Sequence, residues 1–355
     1  MPPSGRQTSG WRASPFMSFL AYNINMFLAE YLYYIGYKLH KKYKGHFIKR
    51  LDGLTISVGN LTVGGTGKTP LVIEIAREAV RRGLSTCILT RGYKGSSSET
   101  LIVSKGEGPT AEWTVTGDEP YLMAKKLKGV WIVKDKNRYR GGLVGGKKDV
   151  YILDDGFQHW PLHRDIDIVV IDATRPFGNG RLLPLGQMRE PPSALKRASI
   201  IVINKTSIEM PELVQKIRRY NPTAPIYYSH YVIEGLYDTS GKSYPLEYVL
   251  GRRVFLFSGI GNPSYFVSML TAKKVNVTGM KAFRDHHHYE PADIRKILKG
   301  ADDTDSEIIL TTEKDMVKID GLLDNSIRER VFSVRIKTEI KNSDFYERLF
   351  SDIRY

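Results

Sequence analysis

The sequence predicts an α/β fold: a doubly wound, mostly parallel sheet, a smaller second α/β domain after it, and a membrane-associated helix before it. Three observations lead there. Apolar, β-branched runs at Leu54 to Val58, Thr86 to Thr90, Val150 to Leu153, Ile166 to Ile171 and Ile200 to Ile203 alternate with helical patterns at Leu71 to Arg82, Glu119 to Lys128 and Glu212 to Tyr220. Strands apolar on both faces and separated by helices are those of a buried parallel sheet. From about Tyr231 the alternation restarts, with strands near Val254 to Phe257, Val275 to Ala282, Ile308 to Thr311 and Val331 to Ile336, and helices near Ser264 to Leu270 and Pro291 to Leu298. Before all of them, Phe16 to Tyr37 carries one charge, Glu30. The expected division is a flexible tail over 1–15, the helix and its basic flank over 16–44, the main domain over 45–230, and a smaller lid-like domain with a closing helix over 231–355.

A chain of 355 residues, 41% apolar and 26% charged, can fill two cores. Its one cysteine, Cys87, excludes an intrachain disulfide and a thiolate metal cluster, and favours a reducing compartment. The net charge of +15 points to an anionic partner: nucleotide, nucleic acid or acidic lipid.

The N-terminal apolar stretch spans roughly 33 Å as a helix at about 1.5 Å per residue, enough to reach across a bilayer core. Asn23, Asn25 and Glu30 make a central span costly, about 3 kcal/mol for the charge alone, while Tyr22, Tyr31, Tyr33, Tyr34 and Tyr37 are interface residues. KLHKKYKGHFIKR follows, with six Lys and Arg and no acid. A helix at the membrane, dipping in or just spanning, with its basic flank on anionic lipid, fits this pattern. A helix packed on the globular body is the alternative.

The first strand runs into ISVGNLTVGGTGKTP, a phosphate-binding loop of the P-loop kind. Backbone N–H groups over Thr62, Val63, Gly64, Gly65, Thr66 and Gly67 can cradle an anion, Lys68 reaches the outer phosphates and Thr69 can ligate Mg²⁺. The following helix aims its positive end at the same charge. Thr62 stands where the general pattern has its first glycine. Ligands of doubly wound sheets bind beyond the carboxyl ends of the strands, so the residues after each run matter most. Arg91 follows the second run. Asp154 and Asp155 follow the third, where a Walker B acid would hold Mg²⁺, with Gln158 nearby. Asp172, Arg175 and the loop to Glu190 follow the fourth. Asp118 stands at a helix start, as a cap or as a functional acid. Asn204-Lys205-Thr206-Ser207 resembles a guanine-reading Asn-Lys-x-Asp, but Ser207 replaces the aspartate. Three adjacent histidines, His286 to His288, do not have metal-ligand spacing; one of them facing the acids of the first domain could instead tune a base.

Eight ordered motifs, SVGNLTVGGTGKTP, LTRGYKG, GDEP, DDGFQH, GNGRLLPLGQMREPPSAL, FSGIGNP, FRDHHHY and TTEKD, together resemble the tetraacyldisaccharide 4'-kinase family of lipid A biosynthesis, from the N-terminal helix to about residue 320. That family has threonine or serine at the position of Thr62. The resemblance implies transfer of the ATP γ-phosphoryl to the 4'-hydroxyl of a tetraacyl glucosamine disaccharide 1-phosphate, at the cytoplasmic face of the bacterial inner membrane, with ATP and Mg²⁺. It implies that Asp118, assisted by His286, accepts the hydroxyl proton, that Lys68 holds phosphate, and that Thr69, Asp154, Asp155, Gln158 and Glu190 surround the metal, with Arg189 on an anion. A lipid-linked substrate and the membrane surface are the expected partners. Nothing implies a protein partner, and no nucleic-acid-reading motif appears. The rivals are a membrane-targeting P-loop GTPase or ATPase and a nucleic-acid-binding protein.

Overall fold

In the computed structural model the described residues are 15–92, 99–342 and 344–351. Residues 1–14, and Tyr93 and Lys94 of the second motif, lie outside them. In the first half, helix α1 (Pro15–Gly45) precedes β1 (Leu54–Gly59), α2 (Lys68–Arg81), β2 (Thr86–Thr90), β3 (Leu101–Lys105), α3 (Trp113–Thr116), α4 (Asp118–Lys126), β4 (Val130–Lys134), α5 (Arg138–Gly145), β5 (Val150–Asp154), β6 (Ile166–Asp172), β7 (Ile200–Asn204) and α6 (Pro211–Arg218). The second half holds β8 (Ile226–Tyr237), β9 (Ser243–Tyr244), β10 (Arg253–Ser258), α7 (Pro263–Thr271), β11 (Asn276–Ala282), α8 (Pro291–Asp303), β12 (Ile308–Thr312), α9 (Glu313–Ile319), α10 (Asn325–Arg328), β13 (Val331–Ile340) and α11 (Asp344–Phe350).

The strands form one sheet in the order β11-β10-β12-β13-β8-β7-β6-β1-β5-β2-β4-β3, with β9 paired to β8. Pairing is parallel except for β3 with β4, β13 with β8 and β8 with β9. The apolar runs behave as their sequence demands: β2, β5 and β7 are buried along their whole length, covered by helices on both faces. Ile56, Val58, Ile88, Ile152 and Ile168 pack under α2 in one core, whereas Leu236, Leu256, Leu310 and Val334 form a separate core in the second half. The boundary expected at residue 230 falls inside β8. Residues Ile226–Ser229 of that strand pair with β7 and Ser229–Tyr237 with β13, so one strand is shared by both halves.

Helix α1 runs past the apolar stretch, through Gly36, and takes in part of the basic flank before it ends at Gly45. Its two faces differ. Glu30 accepts from Arg181 Nη2 at 2.9 Å and from the Leu182 N–H at 2.7 Å; Tyr33 donates to the Arg189 carbonyl, and Tyr37 stacks edge-on against Trp160. The charge that made a central span costly is therefore spent on the protein body. Roughly opposite, at helical spacing, Leu28, Leu32, Ile35 and Leu39 are exposed, Leu39 by 63%. Among the described residues no helix is long and apolar enough to cross a membrane.

Candidate functional site

The phosphate loop is held from below and from both sides. Gly67, at φ 91°, caps α2; a Cβ there would sit 2.0 Å from Asn204 Nδ2 and 2.2 Å from the Tyr231 hydroxyl, so only glycine fits. Asn204 Nδ2 donates to the Thr66 carbonyl at 2.9 Å and Lys205 Nζ to the Gly65 carbonyl at 3.1 Å, while Lys205 is itself ion-paired with Asp172. The Asn-Lys pair that resembled a guanine reader thus braces the loop's own backbone. Thr62 is buried in a short antiparallel bridge to Met188, and the Val63 N–H donates to the Gln187 carbonyl at 2.7 Å. These two residues anchor the upstream end of the loop.

Lys68 Nζ lies 3.3 Å from Asn60 Oδ1 and 3.5 Å from Asp155. Asp155, with φ at 53°, also receives Arg189 Nη1 at 2.7 Å. Burial pushes its carboxyl up, but Lys68 and Arg189 outweigh it and hold the group well below the usual carboxylate range. Asp154 is the reverse case: Thr90 Oγ1 donates to its Oδ2 at 3.1 Å, whereas Oδ1 is buried with no partner. Burial, Glu119 and Asp155 together raise it to about 7. An orphaned carboxylate oxygen among other acids fits a divalent cation beside Thr69, which lines the same cavity. Glu190 belongs elsewhere. It is fully buried, and its oxygens accept from Arg197, from Gln158 Nε2 at 2.8 Å and from the Tyr37 hydroxyl at 2.7 Å. Four donor atoms, two of them on Arg197, occupy that carboxylate and tie the loop to α1, whereas Gln158 lines the cavity with its Oε1 3.4 Å from Arg189 Nη1. Among the described residues no three His, Cys, Asp or Glu side chains are arranged to hold a metal by themselves.

Asp118 is the first residue of α4, not its cap: Gly117 occupies the cap position, and the Asp118 carboxylate faces the second half. His286 Nδ1 lies 2.9 Å from Asp118 Oδ2, with Lys318 Nζ at 3.5 Å and Lys314 Nζ at 3.7 Å. Burial pushes the Asp118 carboxyl up; the His286 hydrogen bond and the two lysines overcome this and keep it ionised far below the ordinary carboxylate value. His286 is set in the left-handed region, φ 57°, by its N–H bond to the Gly259 carbonyl. Gly259 is in turn held by Asp315 Oδ2 at 3.0 Å. The other two histidines go separate ways, His287 to Asp293 at 2.9 Å and His288 against the Trp113 ring.

A cavity of about 1110 Å³ joins these parts, from Lys68 and Asp154 past Asp118 and His286 to Tyr37 and Trp160 on the α1 side. The sequence pattern brings the phosphate loop, the acid pair, Asp118 and His286 to this place. It gives no role to Lys314, Arg197, Asn60 or Trp160. Lys314 is the second residue after the end of β12, in the first turn of α9, so inspection of the residues after each strand could have found it.

The family model described as tetraacyldisaccharide-1-P 4'-kinase matches residues 26–354. The tetraacyldisaccharide 4'-kinase of Halothermothrix orenii is 37% identical over 310 residues, covering 81% of this chain and 80% of that one. That of Desulfotalea psychrophila is 39% identical over 300 residues, covering 82% and 84%. The crystal structure of LpxK from Aquifex aeolicus in complex with ATP superposes with a TM-score of 0.72 at 32% identity, over 93% of this chain and 99% of that one. Together with the phosphate loop and the acids around its cavity, these matches mean that the chain belongs to the tetraacyldisaccharide-1-P 4'-kinase family.

Proposed function

We propose that the protein transfers the γ-phosphoryl group of ATP to the 4'-hydroxyl of a tetraacyl glucosamine disaccharide 1-phosphate, the kinase step of lipid A biosynthesis. The observation that carries this reading is the placing of an ionised Asp118 and a phosphate loop on one cavity whose rim is α1. The loop amides and Lys68 bind the β- and γ-phosphates, and Arg189 neutralises Asp155 beside them. Thr69, Asp154 and Asp155 would hold Mg²⁺, which would supply neutralising charge for the phosphate oxygens. Asp118 accepts the proton of the sugar hydroxyl as its oxygen bonds to the γ-phosphorus; the bond to the β-phosphate oxygen breaks and ADP leaves. His286 orients the Asp118 carboxylate from the second half, so docking of that half completes the site.

The lipid side follows from α1. Its exposed Leu28, Leu32, Ile35 and Leu39 and the lysines after them suit insertion into an anionic bilayer surface, and the docked face leads directly to the cavity. A tetraacyl substrate stays in the bilayer, and the enzyme reaches it from the cytoplasmic face, where ATP is. The test is Asp118→Ala. Expected is unchanged ATP affinity with turnover down by about 10²–10⁴-fold, the usual worth of a general base; near-normal turnover would remove Asp118 from the mechanism.

A further inference from the structure

Resting on the reading of Asp118 as proton acceptor, we infer that Lys314 is a positioning residue of the transfer step: its ammonium engages Nε2 of His286 and so directs the Nδ1–H of that ring onto Asp118. Lys314 Nζ lies 3.2 Å from His286 Nε2, and Nδ1 of the same ring lies 2.9 Å from Asp118 Oδ2. An ammonium has donors only. A ring that accepts from it does so through the Nε2 lone pair and carries its hydrogen at Nδ1, the tautomer that can donate to Asp118; Glu119 and Asp285 stand farther from Nε2, each at 3.9 Å. The opposite tautomer would set an N–H against the ammonium and a lone pair against the aspartate.

Lys314 is fixed well enough to do this. Its side chain is 14% exposed and sits among Glu119 at 3.1 Å, Asp285 at 3.5 Å and Asp118 at 3.7 Å. Burial works against its charge, but these three acids keep it protonated above the usual lysine range. The contacts come from three places, α4, the loop after β11 and α9, so they form together when α9 packs on α4. The neighbouring Lys126–Glu313 ion pair, 2.6 Å and almost buried, joins the same elements. The charges facing Asp118 are thus Glu119 on its own helix, Lys314 and Lys318 from α9, and His286 and Asp285 from the loop. Lys318 is engaged elsewhere, with the His287 carbonyl at 3.2 Å and Asp315 at 3.4 Å. It balances charge without selecting a ring tautomer, which leaves that to Lys314.

The test combines Lys314→Met and Lys314→Arg with ¹⁵N NMR of histidine-labelled full-length protein, checked for folding by thermal melting. In the wild type, Nε2 of His286 should be unprotonated at neutral pH; a protonated Nε2 there overturns the inference whatever the variants do. Lys314→Met should lose kcat by about 10–100-fold with the KM for ATP within about twofold, show mixed tautomers, and move the acid limb of kcat/KM to higher pH, because a charge favouring the Asp118 anion is gone. Lys314→Arg should recover most of kcat. Equal losses in both variants with the tautomer and acid limb unmoved would assign Lys314 to packing. Asp118→Ala separates the two readings: if it stays active the base assignment fails, whereas an inactive Asp118→Ala beside a wild-type-like Lys314→Met removes only the role of Lys314.

Discussion

At the scale of single residues, the site sorts its carboxylates by what stands beside them. Asp118 and Asp155 keep their charge because cations and a histidine face them, while Asp154 is driven to about 7 by burial beside other acids. The sequence displays these as similar acids after apolar runs; their difference comes from partners far apart in the chain, Lys314 for Asp118 and Arg189 for Asp155. His159 of the DDGFQH motif has the opposite liability. Burial, with Arg138 and Arg164 nearby, lowers it to about 3. A histidine whose folded value lies below its unfolded value of about 6.5 takes up its proton more readily in the unfolded chain, so stability falls as pH drops from about 6.5 toward 3. His159→Phe should therefore lose less Tm than the wild type between pH 7 and 5, by about 2–4 °C, in melting curves recorded across that range. Equal losses would place the acid sensitivity elsewhere.

At the scale of elements, α1 and α4 show how far pattern reading carries. The apolar stretch, its tyrosines and the basic flank were legible, and the exposed leucines are the residues that the proposed membrane contact would use. What the pattern could not give was the pairing of Glu30 with Arg181, because a charge in an apolar run looks the same whether lipid or protein meets it. Likewise, two acids at a helix start suggest capping; only the arrival of the loop after β11 turns Asp118 outward to another partner. β3, β4, the long β8 and the glycine-containing α5 escaped the pattern. On the free face of α1, burying a leucine is worth about 1.5–3 kcal/mol. Leu32→Glu with Leu39→Glu should weaken sedimentation with anionic vesicles at least about tenfold while ATP binding is retained. Unchanged sedimentation would move the membrane contact off α1.

At the scale of the whole molecule, one sheet carries two cores, with β8 belonging to both. The parallel order of the first half puts the phosphate loop, Asp154 and Asn204 at one sheet edge, which the alternation of strands and helices had indicated. The second half contributes His286 and Lys314 at the facing edge, and that juxtaposition depends on β13 running antiparallel to β8, a pairing no local pattern specifies. On the proposed function, the first half builds the donor site, the second orients the base, and α1 faces the acceptor. The direct test is incubation of the full chain with Mg-ATP and tetraacyl disaccharide 1-phosphate, followed by mass spectrometry of the lipid. One added phosphoryl group on the 4'-hydroxyl, with stoichiometric ADP, is the predicted result. ATP hydrolysis at a rate indifferent to the lipid, with no phosphorylated product, would contradict it.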